Sequence, residues 1–269
     1  MHDILAKLDD IHGAVSVIGS MNADYTVSTE RLPGPGETVN GGPLQVLPGG
    51  KSGNQAAAAA RIGANVRIFG AVGSDANADF LLGKLTEAGV DTQYVRHVLG
   101  PSGTTVIAVA RMGHEAGATV LLNNSPFTTE LPRELIEASD ILLVNEHEMA
   151  QLLGINEPED DDWDGMDWHA IADKMHDYGF RQAVVTLGGD GSVVIDGDDI
   201  HRISPMRVQA RDTTGCGDSF MGTILAGLSS GMTLMDSAQL ASYVSAYAAT
   251  NYGAQASYGT AAQIRAAFA

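Results

Sequence analysis

The chain has 269 residues, a formal net charge of −18 and one cysteine, and hydrophobic residues make up 44 % of it. This length and composition predict one large globular domain with its own core, and they exclude a disordered chain or a fold built on internal disulfides. The negative charge argues against nucleic-acid binding, and the lack of a membrane-length apolar run or a signal-peptide pattern predicts a cytoplasmic protein without a membrane partner.

The first half of the chain alternates predicted strands and helices. The β-rich residues 14–27 predict a strand, and the Gly- and Pro-rich residues 25–50 predict short strands and turns that stand apart from the main sheet. An Ala-rich helix over 54–63 stops at a glycine, a second strand covers 65–73, and an amphipathic helix covers 75–90. This order of elements predicts a parallel sheet wrapped by helices.

The second half of the chain keeps the same alternation. The stretch GTTVIAVA at 103–110 predicts a further strand. Predicted strands also cover 118–124, 140–145 and 182–189, a hairpin covers 192–205, and helices cover 131–138, 146–154, 171–179, 216–231 and 237–251. No internal repeat or long linker interrupts the pattern, so residues 1–269 are predicted to form one α/β domain.

The strongest local motif is ARDTTGCGDSFMGTILAGL at 210–228. A Gly-rich turn that opens an apolar helix presents N–H groups at the positive end of the helix dipole, which is an anion site. Asp218 stands in the first turn of that helix. Its carboxylate either caps the helix, as Asp often does, or lies beside the bound anion as the general base for a hydroxyl nucleophile.

A second Gly-rich motif, LPGGKSGNQAAAAARIG, covers 47–63. It is not a Walker A loop, because that motif needs a glycine where this chain has Gln45. Two interpretations remain, a plain loop and helix cap or a binding turn in which Lys51 and Asn54 offer hydrogen-bond donors.

Six stretches in a fixed order carry a family resemblance: GSMNAD, PGGKSGNQA, NEHE, VTLGGDGS, DTTGCGD and GAQAS. They resemble the successive motifs of the ribokinase-like (PfkB) carbohydrate kinases over nearly the whole chain after Ala14. The resemblance implies a three-layer α/β/α fold with a mostly parallel central sheet, and a small β-rich lid formed by residues about 25–50 and 99–110. It also implies an ATP-dependent sugar kinase with ribose as the preferred acceptor.

The resemblance gives roles to residues around the phosphoryl group that is transferred. Asp218 would take the proton from the sugar hydroxyl. The N–H groups that face the transferred group would come from Gly215, Cys216 and Gly217. The sugar would be held by Asn22, Asp24, Gly49, Gly50, Lys51, Asn54 and Asp218. The only cysteine, Cys216, is better explained as a small residue that fits a tight turn than as a redox switch.

The same resemblance implies sites for the nucleotide, Mg²⁺ and K⁺. Glu148 would organise Mg²⁺ through water, since Mg²⁺ keeps several of its waters. The nucleotide would contact Asn145, Thr186, Gly188, Gly191, Gly217 and Ser242. A monovalent-cation loop for K⁺ would be formed by Asp212, Thr214, Ala248, Asn251, Gly253 and Ser257.

The acidic stretch from Glu157 to Asp167 has two interpretations. It is either a metal-binding loop or a solvated surface insertion. Block-like charge runs are usually solvated, which favours the second interpretation.

The chain departs from the family pattern near residues 110–112. The resembled proteins continue after GTTVIAVA with a lid strand, a Gly-Ala-Asn turn, a helix and a sheet strand, a crossover on the order of 30 residues or more. Here the chain passes straight to a helix end, so one sheet strand and part of the lid are predicted to be missing. Alternatives to an active ribose kinase are therefore a kinase for fructose, deoxyribose or adenosine, or a catalytically weak chain that binds sugar or nucleotide. Because the lids of two subunits pair in the resembled proteins, a homodimer is expected.

Overall fold

The structure is a computed structural model that describes residues 4–27, 31, 38–103, 118–125, 127–128, 130–159 and 162–269. Its strands are β1 (Ala14–Ile18), β2 (Asn22–Thr26), β3 (Gln45–Gly49), β4 (Asn65–Val72), β5 (Val95–His97), β6 (Leu121–Asn123), β7 (Ile141–Asn145), β8 (Gln182–Thr186), β9 (Ser192–Asp196) and β10 (Asp199–Ile203). Its α-helices are α1 (Lys51–Arg61), α2 (Ala76–Glu87), α3 (Arg133–Glu137), α4 (Glu146–Leu153), α5 (Trp168–Tyr178), α6 (Cys216–Ser229), α7 (Leu234–Ala249) and α8 (Ala261–Ala267). Short 3-10 helices cover Ile4–Asp10, Trp163–Gly165, Gly188–Asp190 and Gln255–Ser257. Apart from Gly103, the strand predicted over 103–110 and the departure near 110–112 lie outside the described residues.

The described strands form three sheets. The first contains β1, β4 and β5 in parallel. In the second, β6, β7 and β8 are parallel, and β9 and β10 extend the sheet in antiparallel pairing. The hairpin predicted over 192–205 is therefore confirmed as β9 and β10. The third sheet is the separate antiparallel pair of β2 and β3.

Helices cover both faces of the five-stranded sheet because its strand β7 is apolar on both sides. Leu142 of β7 belongs to a hydrophobic cluster that contains Met149 of α4. The next residue, Leu143, belongs to a different cluster that contains Phe220 of α6. A strand that is buried on both faces has apolar residues at successive positions. This explains why the segment ILLV of β7 does not alternate between apolar and polar residues. These layers confirm the predicted three-layer α/β/α fold. Within the described part of the chain, every helix is too short or too polar to cross a membrane.

The prediction of one strand over 14–27 is wrong, because two strands of different sheets occupy this range. β1 ends at Ile18, and the Gly19 N–H still donates to the Phe69 carbonyl of β4 at 3.0 Å. The chain then turns away, and β2 begins at Asn22 and pairs with β3. The bend falls at Gly19 and Ser20, residue types that are common in turns, and the residues of β2 that follow are mostly polar. The bend places the start of β2 next to the start of α1.

Helices α1 and α6 pack with their backbones almost in contact. The alanines from Ala56 to Ala59 of α1 are buried. The facing residue of α6 is Gly222, where a Cβ would lie 2.5 Å from the Gln55 carbonyl oxygen and 3.0 Å from the Ala58 Cβ. Small residues on both helices allow this approach, which leaves no space for a larger side chain. It brings the first turn of α1 close to the first turn of α6.

We expect Gly222→Ala to lower the free energy of unfolding by about 1–3 kcal/mol, because the new methyl group overlaps the Gln55 carbonyl. The matched control is Gly83→Ala in α2, where an added Cβ meets no atom within 4 Å. That control should raise the free energy of unfolding by about 0.5–1 kcal/mol through helix propensity. Urea unfolding measures both values. Effects of the same sign at both positions would contradict the backbone contact between α1 and α6.

Candidate active site

The carboxylate of Asp218 lies between two helices and does not cap its own helix. Gly215 occupies the capping position of α6 with φ 78°, a left-handed conformation that glycine adopts without strain. Asp218 Oδ2 accepts a hydrogen bond of 2.9 Å from Asn54 Nδ2, and Oδ1 accepts a longer one of 3.4 Å from Gln55 Nε2. Both donors belong to α1, so the α1–α6 contact creates this site. The structure therefore contradicts the interpretation of Asp218 as a plain helix cap.

Burial raises the pKa of Asp218 above its ordinary value of 3.8. The hydrogen bonds from Asn54 and Gln55 lower this pKa in part, as does the positive charge of Lys51. The negative charge of Asp24 adds to the increase. A carboxylate with a raised pKa is a stronger base, so this environment suits the removal of a proton from a neutral hydroxyl group.

The residues predicted to bind a sugar lie on β2, on β3 and at the start of α1. Asn22 is opposite Gly49 in the β2–β3 pair, and a Cβ on Gly49 would collide with the Asp24 carboxylate. Gly50 then leads into Lys51, the first residue of α1. The amide oxygen of Asn22 is buried and has no hydrogen-bond partner among the described residues, and burial raises the pKa of Asp24. Both groups are acceptors, so the hydroxyl groups of a polyol would supply matching donors.

The turn before α6 is held by hydrogen bonds on both sides. The Cys216 N–H donates to the Thr213 carbonyl at 3.1 Å, so it is already used within the turn. Tyr258 Oη donates to the Gly215 carbonyl at 3.0 Å. The N–H of Gly217 lies in the first turn of α6 and has no carbonyl partner within the helix. The N–H group of Gly217 can therefore donate to an anion, whereas the N–H group of Cys216 already donates within the turn.

The thiol of Cys216 is protonated at neutral pH. Burial raises its pKa to about 11, and the carboxylates of Asp212 and Asp218 act in the same direction. A helix N-terminus ordinarily lowers the pKa of a thiol, so these effects outweigh the helix dipole. The protonated thiol is a poor nucleophile, which favours the interpretation of Cys216 as a small residue in a tight turn.

Asp212 joins the two loops that were predicted to surround K⁺. Its Oδ1 accepts the Thr214 N–H at 2.9 Å, and its Oδ2 accepts the Gly253 N–H at 2.8 Å. These hydrogen bonds, the one from Gly253 first, lower the pKa of Asp212. At the end of α7, the Ala248 carbonyl accepts the Asn251 N–H at 3.0 Å. The predicted residues of both loops are thus brought together.

Asn145 and Glu148 form a capping box at the start of α4. Asn145 Oδ1 accepts the Glu148 N–H at 2.7 Å, and Glu148 Oε2 accepts the Asn145 N–H at 2.9 Å. The N-x-x-E spacing is typical of such a box, but this structural role was not predicted. Asn145 is also opposite Thr186 on β8, and the turn with Gly188 and Gly191 follows Thr186 at the same edge of the sheet. The carboxyl ends of parallel strands are the usual ligand edge of an open α/β sheet.

Two predicted site serines keep their hydroxyl groups inside the protein. Ser242 is 8 % exposed, and its hydroxyl donates to the Ala238 carbonyl at 3.3 Å within α7. Ser257 is 2 % exposed, and its hydroxyl donates to the Ala254 carbonyl at 2.7 Å. Both hydroxyl protons are therefore used in hydrogen bonds to the backbone three or four residues earlier.

The described acidic residues between 157 and 167 include two that cap helices. Asp162 Oδ1 accepts the Gly165 N–H at 3.2 Å. Asp167 Oδ1 accepts the N–H groups of His169 and Ala170, both at 3.1 Å. Among the residues that the structure describes, no three His, Cys, Asp or Glu side chains cluster as a metal site would require. These contacts favour the solvated interpretation of this stretch.

Three buried polar side chains near Asp218 were not predicted as site residues. Gln55 Nε2 donates to Asp218 Oδ1 at 3.4 Å, Gln255 Nε2 donates to Asn54 Oδ1 at 3.1 Å, and Tyr258 Oη donates to the Gly215 carbonyl at 3.0 Å. Gln55 precedes a run of five alanines, and Gln255 stands between two alanines. A glutamine in such an apolar setting is a signal for a buried polar contact, although the sequence does not identify its partner.

We expect Asp212→Asn to lower the free energy of unfolding by about 1 kcal/mol at neutral pH, because the amide NH₂ faces one of the two backbone donors and leaves it unpaired. The pKa of Asp212 is lowered from 3.8 in the folded protein. Its stabilisation is therefore present above the unfolded pKa and is lost as pH falls through the folded pKa. Urea unfolding should give a constant difference between the two chains from neutral pH to about pH 5 and a smaller one in stronger acid.

Asp167→Asn is the matched control for this experiment. Both of its hydrogen bonds use Oδ1, which Asn retains, so its stability should hardly change. An equal loss in the two variants, or a loss at Asp212 that persists unchanged in acid, would contradict the role given to Asp212.

Comparisons with known proteins agree with this geometry. The pfkB family carbohydrate kinase profile matches residues 13–123 and 102–261. The ribokinase of Lactococcus lactis is 28 % identical over 302 residues, which cover 94 % of this chain and 96 % of that protein. The deoxyribokinase of Salmonella typhi is 26 % identical over 295 residues, which cover 91 % of this chain and 95 % of that protein. The solved structure of Arabidopsis thaliana ribokinase complexed with ribose and ATP matches with a TM-score of 0.82 at 26 % identity, covering 95 % of this chain and 98 % of that one.

The family match includes both the fold and the site. All residues predicted for the site, from Asn22 to Ser257, lie inside the two matched ranges. The half-buried Asp218 at the start of α6 is thus one part of a similarity that extends over most of the sequence. This chain belongs to the pfkB family of carbohydrate kinases.

Proposed function

We propose that the chain transfers the γ-phosphate of ATP to D-ribose and releases D-ribose 5-phosphate and ADP. The observation that carries this proposal is the half-buried Asp218 carboxylate, held by donors from α1 beside the N-terminus of α6. A base and an anion site then share one helical turn, as phosphoryl transfer to a hydroxyl requires. The similarity to two ribokinases supports ribose as the acceptor.

In the proposed mechanism, Asp218 removes the proton of the acceptor hydroxyl as its oxygen attacks the γ-phosphorus. The Gly217 N–H and the dipole of α6 stabilise the negative charge on the oxygens of the transferred group. Lys51 contributes positive charge from the first turn of α1. The acceptor groups of Asn22 and Asp24 bind sugar hydroxyls and orient the reacting one.

The nucleotide is proposed to lie along the edge of the sheet where β7 and β8 end. Asn145 and Thr186 are paired there, and the glycines of the following turn, Gly188 and Gly191, leave room for phosphate and ribose. Ser242 is proposed to lie near the adenine because of its position on α7. Its hydroxyl group donates a hydrogen bond within that helix.

Deoxyribose is the second candidate acceptor, and the similarity to a deoxyribokinase favours it. A site built to hydrogen-bond a hydroxyl rejects the analogue that lacks it, because the buried partner group is then left unpaired. Fructose and adenosine test the size of the same pocket. The ratio of kcat/KM values across these acceptors therefore identifies the substrate.

Mg²⁺ and K⁺ are the proposed metal ions. The described residues offer Mg²⁺ no cluster of three ligating side chains, which fits an ion carried by the ATP phosphates and contacted by Glu148 through water. When bound, Mg²⁺ neutralises phosphate charge. K⁺ is proposed to bind between the two loops that Asp212 connects. The C-terminal end of the α7 dipole and the Asp212 carboxylate both make the electrostatic potential there negative. The carbonyl groups of Ala248, Asn251 and Gly253 are its proposed ligands, with Thr214 and Ser257 beside them.

The β2–β3 pair is proposed to act as a lid over the sugar, together with residues about 99–110. Tyr25, Leu44 and Val46 are apolar side chains on or beside this pair that remain 59 %, 60 % and 37 % exposed. Exposed apolar groups on a two-stranded sheet support the pairing of two lids in a homodimer. A cytoplasmic location and the lack of nucleic-acid or membrane partners stay predictions from composition.

A catalytically weak chain that binds sugar or nucleotide is the candidate from a different class. Two observations favour it. The alignment with the Lactococcus lactis protein spans 302 residues, more than the 269 of this chain, which supports a segment missing from this chain. The family profile matches in two ranges that overlap at 102–123, which supports a place for that gap near 110–112. An incomplete lid admits water to the site and weakens sugar binding.

We expect turnover with one acceptor among ribose, deoxyribose, fructose and adenosine, and we expect Asp218→Asn to lower kcat by about 10²- to 10⁴-fold because the general base is lost. ADP release in a coupled assay measures both. Because burial raises the pKa of Asp218, the acidic limb of the pH profile of kcat/KM should have its midpoint above pH 3.8.

Asp198→Asn is the control for that substitution. Asp198 lies in the turn between β9 and β10 and forms an exposed ion pair with Arg181. Its turnover should equal that of the wild type. Full activity in Asp218→Asn would reject the proposed base. Absence of turnover with every acceptor, while the folded chain still binds ATP, would establish the binding protein instead.

Removal of Mg²⁺ with a chelator should abolish turnover, because the phosphate charge is then unbalanced. Replacement of K⁺ by tetramethylammonium, which is too large for the loop, should lower kcat and leave a residual rate. The Asp212→Asn chain should respond less to K⁺ than the wild type does. Equal rates in both salts would reject the monovalent-cation site.

A further inference from the structure

A buried chain of amide groups leads away from Asp218. Gln255, which is 5 % exposed, donates from Nε2 to Asn54 Oδ1 at 3.1 Å. Asn54, which is 6 % exposed, donates in turn from Nδ2 to Asp218 Oδ2 at 2.9 Å. The three side chains form one series of donors that ends on the carboxylate.

The carboxylate fixes the direction of this series. An ionised Asp218 can only accept, so Asn54 must direct its NH₂ group to Asp218 and its oxygen to Gln255. That oxygen requires the NH₂ group of Gln255. As a result Gln255 Oε1 is buried without a partner among the residues that the structure describes. A buried acceptor without a donor costs free energy, so this orientation is maintained against a cost.

The two oxygens of Asp218 are not equivalent. The bond from Asn54 to Oδ2 measures 2.9 Å, whereas the bond from Gln55 to Oδ1 measures 3.4 Å. N–H···O hydrogen bonds usually measure about 2.7–3.2 Å, so the contact at Oδ1 is weak. A proton on Oδ2 would meet the NH₂ group of Asn54. To accept that proton, Asn54 and Gln255 would have to turn over together inside the protein.

We propose that Gln255 is a positioning residue that acts through Asn54 to keep Asp218 Oδ2 as an acceptor, so that Oδ1 takes the proton of the sugar hydroxyl. This inference rests on the proposed function and adds to it the oxygen that reacts and the residue that selects it. Gln255 belongs to residues 250–260 between α7 and α8, a segment that we call the C-terminal loop and that contains the short 3-10 helix Gln255–Ser257. It does not touch the substrate in this mechanism.

The acceptor oxygen forms a bond to the γ-phosphorus of ATP, and the bond between that phosphorus and the β,γ-bridging oxygen breaks. The bridging oxygen keeps the electron pair and leaves with ADP. The hydroxyl proton moves to Asp218 Oδ1, while Oδ2 continues to accept from Asn54.

Titratable groups from every side of Asp218 bear on this test. Lys51 of α1 lowers the pKa of the Asp218 carboxyl, and Asp24 of β2 raises it. Burial raises the pKa of Cys216 and of Tyr258, so both stay neutral at neutral pH. Replacing the neutral Gln255 by a neutral residue therefore changes hydrogen bonding without changing charge.

Two substitutions by side chains of similar length distinguish a positioning role of Gln255 from a packing role. Gln255→Met removes the donor, and kcat should fall about fivefold, the effect of one neutral hydrogen bond. Gln255→Glu, assayed at alkaline pH where the new carboxylate is ionised, provides an acceptor instead. Asn54 then turns its NH₂ group toward that carboxylate and its oxygen toward Asp218, and kcat should fall about a hundredfold. The KM for ATP should stay unchanged in both variants.

The pKa of the Asp218 carboxyl, followed by ¹³C NMR in each folded chain, gives a second readout that needs no turnover. It should increase from the wild type to Gln255→Met and again to Gln255→Glu. Gln182→Met on β8, whose amide contacts the exposed Asp196, is the control and should match the wild type in both measurements.

Equal losses of kcat in Gln255→Met and Gln255→Glu, with the Asp218 pKa unchanged, would overturn the proposal and leave Gln255 a packing residue. If Gln255→Glu does not fold, an unchanged Asp218 pKa in Gln255→Met overturns it alone. A wild-type chain without turnover would reject the proposed function, while the Asp218 pKa in the charge-neutral Gln255→Met chain would still decide this inference: an increase supports it and no change overturns it.

Discussion

The close approach of α1 and α6 determines where the reactive carboxylate lies. No side chain separates the two backbones where Gly222 meets the alanines of α1, so the first turns of the two helices come together. Asn54 and Gln55 then reach Asp218 and replace the water that burial removes. A buried carboxylate without such donors would be far more costly. The basicity of Asp218 is therefore set by helix packing and not by solvent.

The C-terminal loop acts on the same site through separate hydrogen bonds. Its Gly253 N–H reaches Asp212, its Tyr258 hydroxyl reaches the carbonyl of Gly215, and its Gln255 amide reaches Asn54. One short segment thus contacts Asp212, the turn before α6 and the first turn of α1. If K⁺ binds where we propose, these contacts connect it to Asp218 without contact between the ion and either substrate.

Much of the fold and part of the site could be predicted from the sequence, because they depend on local patterns. The apolar run ILLV predicts a strand buried on both faces, and GCGD before an apolar helix predicts an anion site with a nearby carboxylate. The bend after Ile18 was not predicted, although Gly19 and Ser20 are typical of turns, because the local pattern does not show that β2 leaves the sheet of β1 to pair with β3. The bond between Gln255 and Asn54 joins residues 201 positions apart, and only the packed helices bring them together.

The raised pKa of Cys216 has a consequence for how this protein meets oxidants. Peroxides and alkylating reagents attack the thiolate form of cysteine, and a thiol whose pKa is about 11 is almost entirely protonated at neutral pH. The neighbouring carboxylates of Asp212 and Asp218 also oppose a negative charge on the sulfur. The turn before α6, which we propose binds the transferred group, therefore carries a thiol that reacts slowly with oxidants, although this is the only sulfhydryl group in the chain.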